Sequence, residues 1–184
     1  MAEVKILREG HSDPSYAVGT ITLVKSSKNV IVDTGNIGDS KIISQKLSDE
    51  GLSFGDIDFV VNTHWHSDHN SNNGFFENAA IIDFHSCNKK GKFDFIENDF
   101  VIDSNVRVIK TPGHSPFDIS VVVQVDGKTF VVAGDIFENE KDHDGKEAKS
   151  WSADWKQQTE SRNKILSIAD WIIPGHGKMF RVNA

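Results

Sequence analysis

Residues 63–69 read Thr63-His64-Trp65-His66-Ser67-Asp68-His69, so three of the chain's 8 histidines crowd into one short turn beside an aspartate. The apolar run at 57–61 predicts a buried strand leading into it. His64 and His66 then leave the strand end two residues apart and face the same way, while the turn brings Asp68 and His69 to an adjacent point. Imidazoles and a carboxylate together are borderline ligands suited to Zn²⁺, with Fe or Mn possible. The plain alternative is a solvated, helix-capping turn, but Asp68 or Asn70 would cap a helix without any histidine.

Three further residues sit in glycine punctuation directly after predicted strands: His114 in Thr111-Pro112-Gly113-His114-Ser115, Asp135 in Ala133-Gly134-Asp135, and His176 in Pro174-Gly175-His176-Gly177. Singly, each reads as a turn residue. With the cluster they make a set of histidines and aspartates large enough for two metal ions, more than a lone helical zinc motif needs.

The chain has no internal repeat, low-complexity tract or Pro- or Ser-rich linker, and reads as a single domain over 1–184. Strands are predicted at 21–24 and 30–32, joined as a hairpin, and at 57–61, 80–82, 106–109, 120–125, 129–133 and 171–173, with Asp126-Gly127 as a hairpin turn. A helix is expected at about 39–51, capped by Asp39 or Ser40, with Ile43 and Leu47 facing inward and Gly51 as its stop. A second is expected at 155–169 with Arg162, Ile165, Leu166 and Ala169 on one face, after an exposed acidic loop at 138–147. Two sheets with helices outside would give an α/β (α+β) fold, a four-layer αββα sandwich, although periodicity alone leaves an ordinary α/β fold open.

The series His64-x-His66-x-Asp68-His69, His114, Asp135 and His176, preceded by Val32-Asp33-Thr34-Gly35, resembles the five-motif signature of the metallo-β-lactamase superfamily, in order and over roughly residues 20–182. The resemblance implies the four-layer metallo-β-lactamase sandwich and two Zn²⁺ per chain. His64, His66 and His114 would hold one metal, Asp68, His69 and His176 the other, and Asp135 would bridge them. Asp68 and Asp33 are the candidate catalytic carboxylates, Asp33 from beneath the ligands. Asp33-Thr34-Gly35 is also similar to the aspartic-protease signature, but that chemistry needs two carboxylates in one site and only one such triplet occurs.

Two metals sharing a hydroxide need no nucleophilic side chain, which fits the absence of Gly-x-Ser-x-Gly and the isolation of Cys87 from every motif. Cys87 reads as a small core residue, His85 and His143 as surface or core histidines, and His11 as undetermined. The broad-spectrum lactamases of the superfamily carry cysteine where Asp135 stands, so the resemblance points instead to thioester and phosphodiester cleavage. It implies an endoribonuclease acting on histone pre-mRNA 3′ ends, with Lys149, Lys156, Arg162, Lys164, Lys178 and Arg181 as basic residues and Trp151 and Trp155 as stacking faces. A thioester hydrolase of the hydroxyacylglutathione hydrolase type is the alternative, an iron-dependent sulfur dioxygenase or a decayed binding module lesser ones. The net charge of −7 argues against general nucleic-acid affinity. One cysteine, Glu3, Lys5 and Arg8 ahead of any apolar run, and no long apolar stretch lead to the expectation of cytoplasm or nucleus, no secretion and no membrane. A homodimer is suggested by resemblance alone, and substrate-binding residues are not legible.

Overall fold

A computed structural model describes residues 2–182 except for the side chain of His143, so the expectation for that histidine lies outside the described residues. In the first sheet β1 (Glu3–Arg8), β4 (Ile21–Lys25), β5 (Asn29–Val32), β6 (Phe59–Val61), β7 (Ala80–Ile82), β8 (Ser86–Lys89) and β9 (Lys92–Phe95) lie side by side. The second runs β10 (Phe100–Val101), β11 (Val106–Lys110), β12 (Ile119–Val125), β13 (Lys128–Gly134), β14 (Trp171–Pro174) and β15 (Phe180–Arg181). A separate hairpin joins β2 (His11–Asp13) to β3 (Tyr16–Val18). Four helices are described: α1 (Ser40–Asp49), α2 (Ser67–Asn70), α3 (Lys146–Trp151) and α4 (Trp155–Leu166). No helix among the described residues is long and apolar enough to cross a membrane.

Strand alternation builds the layers. Val24, Val30, Val32 and Val61 of the first sheet meet Val108, Val121, Val123 and Val132 of the second in a buried inter-sheet core. The opposite face of the first sheet, with Leu23, Ile31 and Val60, buries Ile43 and Leu47 of α1. The outer face of the second, with Val122, Val131 and Ile172, buries Ile165 of α4. Three cores between four layers are the αββα sandwich. Cys87 is buried in the central one.

Several local expectations need correction. Edge strands β1, β9 and β10 and the β2–β3 hairpin lack the apolar runs that mark buried strands, and periodicity passes over them. Asp39 makes no side-chain cap to α1; its carboxylate takes the Asn36 amide proton and pairs with Arg8 instead. The loop expected at 138–147 is interrupted, because the Asp142 carboxylate accepts the backbone N–H groups of Glu147 and Ala148 and starts α3. On α4, Leu166 is exposed and the buried face is Gln158, Ser161, Arg162 and Ile165. That face is largely polar because it binds loop carbonyls: Gln158 Nε2 donates to Asp135 O, Ser161 Oγ to Pro112 O and Arg162 Nη1 to Ile136 O.

Ile165→Ala should therefore cost about 2–4 kcal/mol in chemical denaturation, whereas Leu166→Ala should stay within about 0.5 kcal/mol. Equal costs would contradict the inward face described.

Candidate metal centre

Functional side chains converge where the C-terminal ends of strands from both sheets meet. β5 leads into Asp33, β6 into residues 63–69, β11 into the loop bearing His114, β13 into Asp135 and β14 into His176. Backbone bonds lock these loops together: Ile119 N–H to Thr63 O (2.8 Å), Thr20 N–H to Gly175 O (2.7 Å) and His176 N–H to Glu138 O (2.8 Å). Two glycines are required by close approach. A Cβ at Gly134, whose φ is +56°, would press on the Thr63 side chain, and one at Gly175 would overlap the Asp135 carboxylate.

All seven expected ligands come together, in two groups. His64, His66, His114 and Asp135 offer donor atoms within 4.8 Å of one another, and so do Asp68, His69 and His176. Asp135 belongs to the first group yet reaches the second: Oδ1 lies 3.2 Å from His69 Nε2, and Oδ2 lies 3.3 Å from His176 Nε2 and 3.5 Å from His64 Nε2 and His114 Nε2. That is the position a bridging carboxylate would occupy.

Asp33 does not line the cavity. Buried, with φ +59°, it accepts Thr63 N–H at 2.8 Å, Thr63 Oγ1–H at 2.7 Å and His69 Nδ1–H at 2.7 Å. With its own proton given to Asp33, Thr63 Oγ1 is left to accept from His64 Nδ1 at 3.1 Å. Val18 O accepts from His176 Nδ1 at 3.0 Å. In each case a proton on Nδ1 leaves Nε2 with its lone pair turned into the site.

The described site leaves donors unsatisfied. His64 Nε2, His69 Nε2 and Asp135 Oδ1 are sealed from solvent without a hydrogen-bond partner, the short His69–Asp135 approach falling off the hydrogen-bonding direction. An unmet buried polar atom costs about 1–3 kcal/mol, and a cation at the convergence of these lone pairs removes that cost. The donor set of imidazole nitrogens and carboxylate oxygens therefore fits divalent metal, zinc above all. Protonation states follow the crowding. Burial holds His64 well below the ordinary imidazole value and lowers His114 as well. For His176 burial opposes the charged form, but the Asp135 carboxylate outweighs it and the imidazole is pushed up to about 9. His69 is likewise raised by Asp135 and Asp33 against its burial.

Above the donors lies a cavity of about 600 Å³, lined by His66, Asp68, His114, Asp135 and His176 on its floor and by the β2–β3 hairpin and α3 on its walls. Two residues of the centre escaped sequence reasoning. Glu138, buried against the cavity, places Oε1 4.0 Å from His114 Nδ1, and both atoms are unpartnered; burial, then the Asp135 charge, pushes its carboxyl up to about 8. Its signal was a lone acid three residues past Asp135 in an apolar stretch. Asp118 accepts Gly113 N–H, Ser115 N–H and Ser115 Oγ–H at 2.7–2.9 Å, closing the loop that carries His114; the Ser-x-x-Asp spacing was its signal. Of the other histidines, His85 packs its ring on Phe117 and His11 lies 3.9 Å from Asp13.

The family model described as the Metallo-beta-lactamase superfamily matches residues 17–94. Metallo-beta-lactamase domain-containing protein 1 of Xenopus laevis is 37% identical over 97% of this chain and 81% of its own length. The Homo sapiens protein of that name is 38% identical over 83% of this chain, which spans only 59% of the human protein. The solved structure of a metallo-beta-lactamase candidate from Thermotoga maritima superposes with a TM-score of 0.77 at 21% identity, covering 98% of this chain and 99% of that one.

Two outcomes test the centre. Because Asp135 raises the proton affinity of His69 and His176, and zinc needs their Nε2 lone pairs free, zinc uptake should release protons and its apparent affinity should rise with pH up to about 9; calorimetry in buffers of differing ionisation enthalpy reads both. Asp33→Asn should weaken zinc binding about 10- to 100-fold, since it removes the charge and turns one of the two accepting oxygens that orient His69 and Thr63 into a donor.

Proposed function

This chain belongs to the metallo-beta-lactamase superfamily of metal-dependent hydrolases, and from that premise we propose that it cleaves a small acyl ester or thioester at two divalent metal ions, zinc by preference. The supporting observation is the cavity: seven metal-type donors at or beneath its floor, carboxylates Asp13, Glu138 and Glu147 along its lining, and no lysine or arginine among the described lining residues. A polyanion would gain nothing from those walls.

Two cations held by the two donor groups would polarise the scissile bond and lower the pKa of a water between them. The chain's own side chains do the rest. Asp33 and Thr63 fix the presenting nitrogens of His69 and His64 ahead of the reaction. Asp68, whose side chain is 17% exposed, is more open to the cavity than Asp135 at 5%; its carboxylate is the group suited to take a proton from the attacking water. The hairpin and α3 wall the substrate from bulk solvent. No side-chain nucleophile is needed, and Cys87 lies in the inter-sheet core.

A second reading, an endoribonuclease acting on histone pre-mRNA 3′ ends, is favoured by the exposed rings of Tyr16 and Trp151 at the cavity, which could stack unpaired bases. The basic residues expected to help it do not line that cavity. Arg162 is buried on Asp142 at 3.0 Å, Lys164 donates to Lys110 O, and Trp155 faces Arg162 and Gly145.

Zinc-loaded protein should hydrolyse short thioesters and lose activity with a chelator, and Asp68→Ala should lower kcat/KM by about 10²–10⁴-fold. Single-stranded RNA cleaved by the wild type, spared by Asp68→Ala, with thioesters untouched would favour the second reading.

A further inference from the structure

The two walls of the cavity repeat one chemistry. On the β2–β3 hairpin stand Asp13 and Tyr16; on α3 stand Glu147 and Trp151, four residues apart and hence on one helix face. Each wall thus brings a carboxylate and an aromatic ring to the same space, and the rings are 60% and 63% exposed. Deeper in, Glu138 is 97% buried, lines the cavity and has an Oε1 without a partner. The cation nearest in sequence, Lys146, is engaged with Asp144, and no lysine or arginine belongs to the described lining.

We infer that the mouth of this cavity recognises an organic ammonium group, primary or quaternary, on the substrate, held between the Asp13–Tyr16 and Glu147–Trp151 pairs. Ring faces carry negative quadrupole density and attract ammonium ions, most strongly where a carboxylate adds its charge. As a statement about substrate it rests on the acyl-hydrolase reading above; as a statement about binding it does not. Polarity also sets orientation. Metal ions held at the floor would make that end positive while the walls keep the mouth negative, so a cationic ester would enter with its ammonium outward and its carbonyl toward the donors. An ester ending in a carboxylate meets repulsion at the mouth.

The test is equilibrium binding to the zinc-loaded chain by calorimetry, using benzyltrimethylammonium, its neutral isostere neopentylbenzene and benzoate as probes. The ammonium should bind about tenfold or more tighter than the isostere, and the preference should collapse toward unity in the Asp13→Asn/Glu147→Gln double variant. Trp151→Leu should lower it in part, while Lys149→Gln, on the other face of α3, should leave it intact. Equal affinity for cation and isostere, or tighter binding of benzoate, would overturn the inference. Turnover is read separately with acetylthiocholine and its neutral carbon analogue: hydrolysis of neither overturns the acyl-hydrolase reading, and selective ammonium binding would still stand.

Discussion

The Asp33 carboxylate is the interaction on which the centre depends. It sits in a left-handed backbone conformation at the end of β5, a place an aspartate tolerates better than a branched residue. From there it takes three protons, two from Thr63 and one from His69. One oxygen holds the backbone of the histidine-rich turn, and the other fixes an imidazole directly and a second through the Thr63 hydroxyl. Remove the charge and the tautomers of His69 and His64 lose their determinant, although no donor has been touched.

The sandwich explains why the donors come from so distant points in sequence. Both sheets end at the same edge, and the ligand loops leave strands whose last residues are buried, as in Val30–Val32, Val60–Val61, Val131–Gly134 and Ile172–Pro174. Rigid strands set the positions, while α4 ties the loops from behind through Gln158, Ser161 and Arg162. A polar inner helix face is unusual where hydrophobic burial drives packing, but here it satisfies carbonyls of loops that have turned away from any sheet partner. Support of this kind holds a multidentate site to the tolerance that metal geometry demands.

Legibility in the sequence followed the same division. The seven donors were readable because each is a chemically unusual residue at a strand exit, and the buried strands because apolar runs such as Val30–Ile31–Val32 have no other use in so short a chain. Edge strands were not, since β9 exposes all four of its residues and carries no core signal. The inward face of α4 was misjudged because periodicity counts apolar side chains, and that helix buries polar ones. Glu138 and Asp118 carried only faint signals for a related reason: a carboxylate whose role is set by a neighbour brought close only by folding looks, in one dimension, much like any other acid.

Metal and fold are coupled through the same buried charges. Without cations the site gathers five imidazoles around two carboxylates, and each polar atom left unmet subtracts from stability that a domain of this size holds in small supply. A ligand that binds only the folded state adds stability as its logarithmic excess over its dissociation constant, so zinc would deepen the native well chiefly where the apo chain is weakest, at the strand exits. The loops that bear the donors are then the first expected to open in the metal-free chain, and the three cores, which share none of those donors, the last.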